Sequence, residues 1–98
     1  IGKIMTNIIT YAQRFDSVGS TEITQNIEIV QLTVTTTSGS PRLTFTSGEG
    51  GFTILDIDFV PENEFRIYVP APGLRASNLW ISNMTNVKSC TVFYNNVE

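Results

Sequence analysis

The chain has 98 residues, 41% hydrophobic and 15% charged, with six Lys and Arg against nine Asp and Glu and a net charge of −3. A chain this short makes one domain, residues 1–98, whose single core has a thin stability margin. With no His and one Cys, the Ser-His-Asp and Cys-His arrangements, an internal disulfide and the commonest zinc ligand are all excluded.

The six basic residues, Lys3, Arg14, Arg42, Arg66, Arg75 and Lys88, are scattered, and no two are adjacent. Nucleic-acid binding needs clustered positive charge that releases counterions, so no nucleic-acid partner is expected, and an anionic membrane surface is disfavoured on the same ground. No apolar run approaches the ~20 residues of a membrane-spanning helix. Thirty-two residues are Thr, Ile or Val and only eight are Ala or Leu. β-Branched side chains fit a pleated, half-buried surface, whereas Ala and Leu favour helix. The chain is therefore expected to be mostly sheet.

Residues 1–15 fit two patterns. Met5, Ile9, Tyr11 and Phe15 share a parity, which predicts a strand from about Ile4 to Arg14 connecting into the domain. Ile1, Ile4, Met5, Ile8, Ala12 and Phe15 also fall at three- to four-residue spacing, the pattern of a short helical stalk end. Asp16 to Ser20 reads as a loop, and Thr21 to Ile29 as a loosely alternating strand. At Val30 the parity flips, so that Val30, Leu32 and Val34 are the apolar set. A flip within one run predicts a β-bulge or a change of sheet.

Ser38-Gly39-Ser40-Pro41 is a turn, and Arg42 to Thr46 alternates with Leu43 and Phe45 inward. Residues 30–46 therefore read as a hairpin. Gly48 to Gly51 is a flexible break, with neither the Lys-Ser/Thr nor the helix of a phosphate loop after it. Phe52 to Val60 carries Leu55, Ile57 and Phe59 on one face. Pro61 to Glu64 turns, and Phe65, Ile67 and Val69 then alternate inward against outward Arg66 and Tyr68, predicting a second hairpin. The segment 70–77 is too rich in Pro for a central strand and reads as a crossover between sheets. Asn78 to Ser82 is a short strand with Leu79 and Ile81 opposite Trp80. Asn83 to Asn86 turns into the last strand, Val87 to Asn95. Seven to eight short strands with frequent turns predict an all-β fold, a small antiparallel β-sandwich of jelly-roll or other Greek-key type.

Few residues suggest chemistry. Asp56 and Asp58 share one strand face, and Glu62 and Glu64 follow in the turn, a set of hard oxygen ligands suited to Ca²⁺. The calcium-loop pattern is not met, and a solvated acidic face is the expected reading, with no metal and no cofactor. Cys90 reads as a buried inert thiol, with Lys88 two residues away on the same face the only neighbour able to activate it. Asn83-Met84-Thr85 is a formal glycosylation sequon, expected in a turn. The aromatics are the strongest candidates for contact. Trp80 and Tyr68, with Arg66 beside the latter, are expected on outward faces, and Tyr11 belongs to the apolar N-terminal segment.

Together these features point to a non-enzymatic structural or binding domain. The strand pattern is broadly similar to the small β-domains of viral appendages and of carbohydrate-binding modules, a resemblance of fold alone. The chain opens on Ile1 rather than Met, and its polarity rests on Thr, Ser and Asn. The leading expectation is therefore a capsid-attached or fibre-borne module of a larger extracellular or virion-surface protein. It is expected to self-associate, as a trimer in the fibre case, through Trp80 or the segment Ile1 to Phe15. The alternatives are a carbohydrate-binding module using Trp80 and Tyr68, and an adhesin or inhibitor-like domain with a protein receptor.

Overall fold

The structure is a computed structural model that describes residues 10–19, 22–37, 39–59 and 65–97. Among the described residues nine strands follow one another: β1 (Tyr11–Phe15), β2 (Glu22–Ile23), β3 (Ile27–Thr36), β4 (Arg42–Ser47), β5 (Thr53–Asp58), β6 (Phe65–Tyr68), β7 (Arg75–Ala76), β8 (Leu79–Thr85) and β9 (Val87–Asn96). They form two antiparallel sheets. Sheet I has the order β1-β9-β3-β6, with the short β7 also paired to β3, and sheet II has the order β2-β8-β4-β5.

With β7 set aside, the eight remaining strands pair first with last, second with seventh, third with sixth and fourth with fifth. That is one long hairpin wrapped on itself, the jelly roll. The chain passes between sheets at nearly every connection. Only β4 and β5 are neighbours both in sequence and in one sheet, apart from the β6–β7 segment that flanks β3. Crossing corners need backbone that reverses in little space. Asn78 (φ 52°) and Asn86 (φ 54°) both adopt the left-handed conformation, which Asn tolerates better than most residues. Asn86 is the single residue between β8 in sheet II and β9 in sheet I.

The core lies between the sheets. Sheet I contributes Phe15, Ile27, Ile29, Leu32, Val34, Cys90 and Val92, and sheet II contributes Leu43, Phe45, Leu79 and Ile81, all at most 1% exposed. Phe15 meets Phe45 edge to face, with ring centroids 5.5 Å apart at 74°, and so ties the first strand to the opposite sheet. The parity flip at Val30 is a bulge: β9 pairs Tyr94 with Ile29 but Phe93 with Gln31, which skips Val30. Strand β3 keeps Ile27 and Ile29 inward before the bulge and Leu32 and Val34 inward after it.

Both expected hairpins are absent. β3 belongs to sheet I and β4 to sheet II, so residues 30–46 cross the sandwich, and Thr37 N–H donates to Asn86 O at 2.8 Å. β5 and β6 likewise lie in opposite sheets. The cause is common to both. Two alternating strands with facing apolar sides satisfy the same pattern whether they pair edge to edge or stack across a core. The hairpin that does form is β4–β5, around the glycine-rich segment read as a break. Ser47 N–H donates to Phe52 O at 2.9 Å and Gly51 N–H to Gly48 O at 3.1 Å. Within 70–77, β7 pairs with β3 before the chain changes sheet to enter β8.

Strand β6 is also inverted relative to expectation. Tyr68 lies opposite Leu32 and Arg66 opposite Val34. Directly opposed residues of an antiparallel pair share a face, and Leu32 and Val34 face the core. Tyr68 therefore packs against the core and Arg66 is half-buried, while Phe65, Ile67 and Val69 are 60%, 61% and 66% exposed. At the rim of a sandwich an amphipathic side chain can bury its body and leave its polar tip at the open edge. Leu55 and Phe59 of the neighbouring segment are half-buried, with Ile57 the most enclosed of that face.

Candidate interaction surface

The aromatic candidates do not converge. Trp80 lies on the outer side of sheet II, opposite inward Leu79 and Ile81, whereas Tyr68 and Arg66 point into the sandwich from sheet I. No platform contains both Trp80 and Tyr68. Trp80 is half-buried under the β1–β2 loop, where Gly19 N–H donates to Ile81 O at 3.0 Å. A Cβ on Gly19 would stand 2.8 Å from Trp80 Cζ2, so only glycine lets the loop lie this close to the ring. Tyr11 lies at the opposite edge of sheet I, stacked on Tyr94 with centroids 5.7 Å apart at 26°. Of the apolar N-terminal segment, residues 1–9 lie outside the described residues.

The acidic pair is engaged by a cation from the neighbouring strand. Asp56 and Asp58 both face out from β5, as their spacing requires. Arg42 on β4 donates to Asp56 through two nitrogens, at 3.0 and 2.7 Å, and lies 3.8 Å from Asp58. Thr44 Oγ1 donates to the same Asp56 carboxylate at 3.0 Å. The bonds from Arg42 and Thr44 hold the Asp56 carboxyl below its ordinary range, and the same pairing raises Arg42. The sequence separates Arg42 from Asp56 by 14 positions, so this partner was not visible from the acidic run alone. Glu62 and Glu64 lie outside the described residues, among which no group of three or more His, Cys, Asp or Glu gathers.

Cys90 is 1% exposed, and desolvation pushes its thiol up to about 12. Lys88 does not share its face. The β3–β9 register pairs Thr35 with Ser89 and Thr36 with Val87, so Lys88 is skipped at a bulge and turns to solvent. The sequon at Asn83 lies within β8 rather than in a turn, and Asn83 Oδ1 accepts from Thr85 Oγ1 at 2.9 Å.

The most conspicuous surface is one that sequence reasoning placed inside. Phe65, Ile67 and Val69 form an apolar stripe on the outer side of sheet I. Beside it the same face carries Thr33 and Thr35 of β3, then Ser89, Thr91 and Phe93 of β9. The ionised residue nearest the far edge, Arg14, is paired with Asp16 at 2.6 Å. Among the described residues β6 pairs only with β3, so its second edge also faces away from the sheet. A clue lay in the partner residues. Arg66 and Tyr68 are long enough to bury a stem and expose a tip, so the apolar members were not compelled inward.

Compared with known proteins, the chain matches no family model, no curated protein and no solved structure.

Proposed function

We propose that this domain is a non-enzymatic structural and binding module that self-associates through the outer face of sheet I. The observation that carries the reading is the stripe of Phe65, Ile67 and Val69, each more than half exposed, the first two on the edge strand β6 and Val69 just past its end. Three such side chains uncover on the order of 300 Å², the size of the largest apolar patch on a typical monomer, and such a patch is often functional. A second copy of the chain suits this face. At a net charge of −3 two copies repel at a distance, but the part of the face beside the stripe, Thr33, Thr35, Ser89 and Thr91, is uncharged. A two-fold contact that matches the patch with itself also covers the open edge of β6. The neighbouring Thr-rich strands supply further area toward the ~800 Å² per partner of a standard interface. The jelly roll is used by viral capsid and lectin domains, which is consistent with a place on an extracellular or virion-surface assembly by analogy of fold alone.

Sedimentation velocity on the 98-residue chain at about 10–100 μM tests the reading, a range in which a modest interface of this size still associates. The expected result is an oligomer that Ile67→Asp converts to monomer, with a melting temperature equal to that of the wild-type chain diluted into its monomeric range. A wild-type chain that is monomeric throughout, or an oligomer indifferent to Ile67→Asp and Phe65→Asp, overturns it.

A further inference from the structure

A cleft of about 220 Å³ opens at the end of the sandwich where the start of β5 approaches β7. Ile27, Phe52, Ile54, Ala76 and Val97 supply its apolar lining, and Asn26, Arg75 and Ser77 its polar members. Ile27 and Ala76 belong to the core, so the floor is rigid. Phe52 does not: it is 75% exposed, and core packing gives no reason for an aromatic ring there. Its backbone is pinned by the β4–β5 turn, where Phe52 O accepts from Ser47 N–H at 2.9 Å. An exposed ring is thus held at the mouth of an apolar cleft.

Among the described residues that line the cleft, Arg75 is the charged one. Arg75 lies opposite Glu28 in the β3–β7 register, but Glu28 Oε2 accepts from Gly73 N–H at 3.1 Å. Among the described residues no carboxylate comes within 4.0 Å of the Arg75 side-chain nitrogens to form a salt bridge. A guanidinium presents a fork of donors that fits a carboxylate with two parallel bonds. The cleft is smaller than the ~300–1,000 Å³ of drug-sized sites, so its occupant is small.

From this combination we propose that the cleft binds a small organic monocarboxylate with an aromatic or branched apolar body. The body lies against Phe52, Ile54 and Val97, and the carboxylate meets Arg75 with Asn26 and Ser77 beside it. The cleft draws on none of Phe65, Ile67 and Val69.

The test is an amide chemical-shift titration of the ¹⁵N-labelled chain with 3-phenylpropionate, its neutral amide and galacturonate. Phenylpropionate is expected to shift Ile27, Phe52, Ile54, Ala76 and Ser77 saturably, with a Kd on the order of 0.1–1 mM for a ligand of this size. Arg75→Gln should weaken it about tenfold and leave the weaker binding of the amide unchanged, because only the carboxylate makes a charge-assisted pair. Phe52→Ala should weaken both, and both substituted side chains are exposed, so the fold should persist. Absence of saturable shifts up to about 10 mM, where even small ligands of low efficiency bind, overturns the proposal. So does equal binding of acid and amide, or binding of galacturonate in preference, which would make the cleft a sugar site.

Discussion

At the scale of single residues, the wrapped hairpin depends on a few backbone positions that a side chain would spoil. Gly19 has φ +67° and lies against the Trp80 ring, whereas Gly50 has φ +75° with nothing within 4 Å of its absent Cβ. Alanine at either site meets the left-handed backbone penalty of about 1–2 kcal/mol. Only at Gly19 must the indole also move. Gly19→Ala is therefore expected to lower stability more than Gly50→Ala and to red-shift the tryptophan emission, while Gly50→Ala leaves the emission unchanged. Chemical denaturation followed by fluorescence of the single Trp reads both quantities. Equal losses and unchanged emission in the two variants would mean that the loop does not rest on Trp80. The glycine at position 19 reads from sequence only as a loop residue, because the ring it accommodates is 61 positions away.

At the scale of elements, the β4–β5 hairpin carries its own electrostatic rung of Arg42, Asp56 and Thr44. The Asp56 carboxyl is held below its ordinary range, chiefly by its bond from Arg42. Its contribution to stability is thus present above the unfolded-state carboxyl value, near 3.9, and is lost as pH falls through the lower folded value. Asp56→Asn should flatten the dependence of the urea midpoint on pH below about 4 and change the neutral-pH midpoint only slightly, as exposed pairs do. Added salt should shrink the difference between the two proteins. A variant with an unaltered acid limb would show that another carboxylate governs it. The sequence displayed the two aspartates and their common face, but the cation that engages them comes from across the hairpin. Strand β6 makes the same point about sidedness. Its alternation was plain in Phe65, Ile67 and Val69 against Arg66 and Tyr68, and pairing with Leu32 and Val34 turned the second set inward.

At the scale of the whole molecule, stability rests on the packing between sheets, and Phe45 is a central contributor. It is fully buried and meets Phe15 of the other sheet. Phe45→Ala is expected to cost about 3–5 kcal/mol, from lost transfer energy plus the cavity. That is a large share of the total for a domain of marginal stability. Phe65→Ala should stay within about 0.5 kcal/mol in the monomer, as expected of a surface site. Guanidinium unfolding at low protein concentration compares the two directly, and the reverse order of losses would place the core on the wrong side of β6.

Much was legible before any tertiary structure. The all-β class followed from Thr, Ile and Val, an irregularity at Val30, a bulge or a change of sheet, from a parity flip, and the buried thiol of Cys90 from its place in an apolar strand. These are local properties: a side-chain period of two and a bulge are written into neighbouring residues. What the tertiary structure alone decided was which strands pair, which side of β6 faces in, and which distant residues meet. β1 finds β9, Arg42 finds Asp56, and Gly19 lies against Trp80. The physical reason is that alternation does not name its partner. A strand with one apolar face satisfies the hydrophobic effect equally in a hairpin or across a sandwich, so the choice falls to the global arrangement that buries all the faces at once.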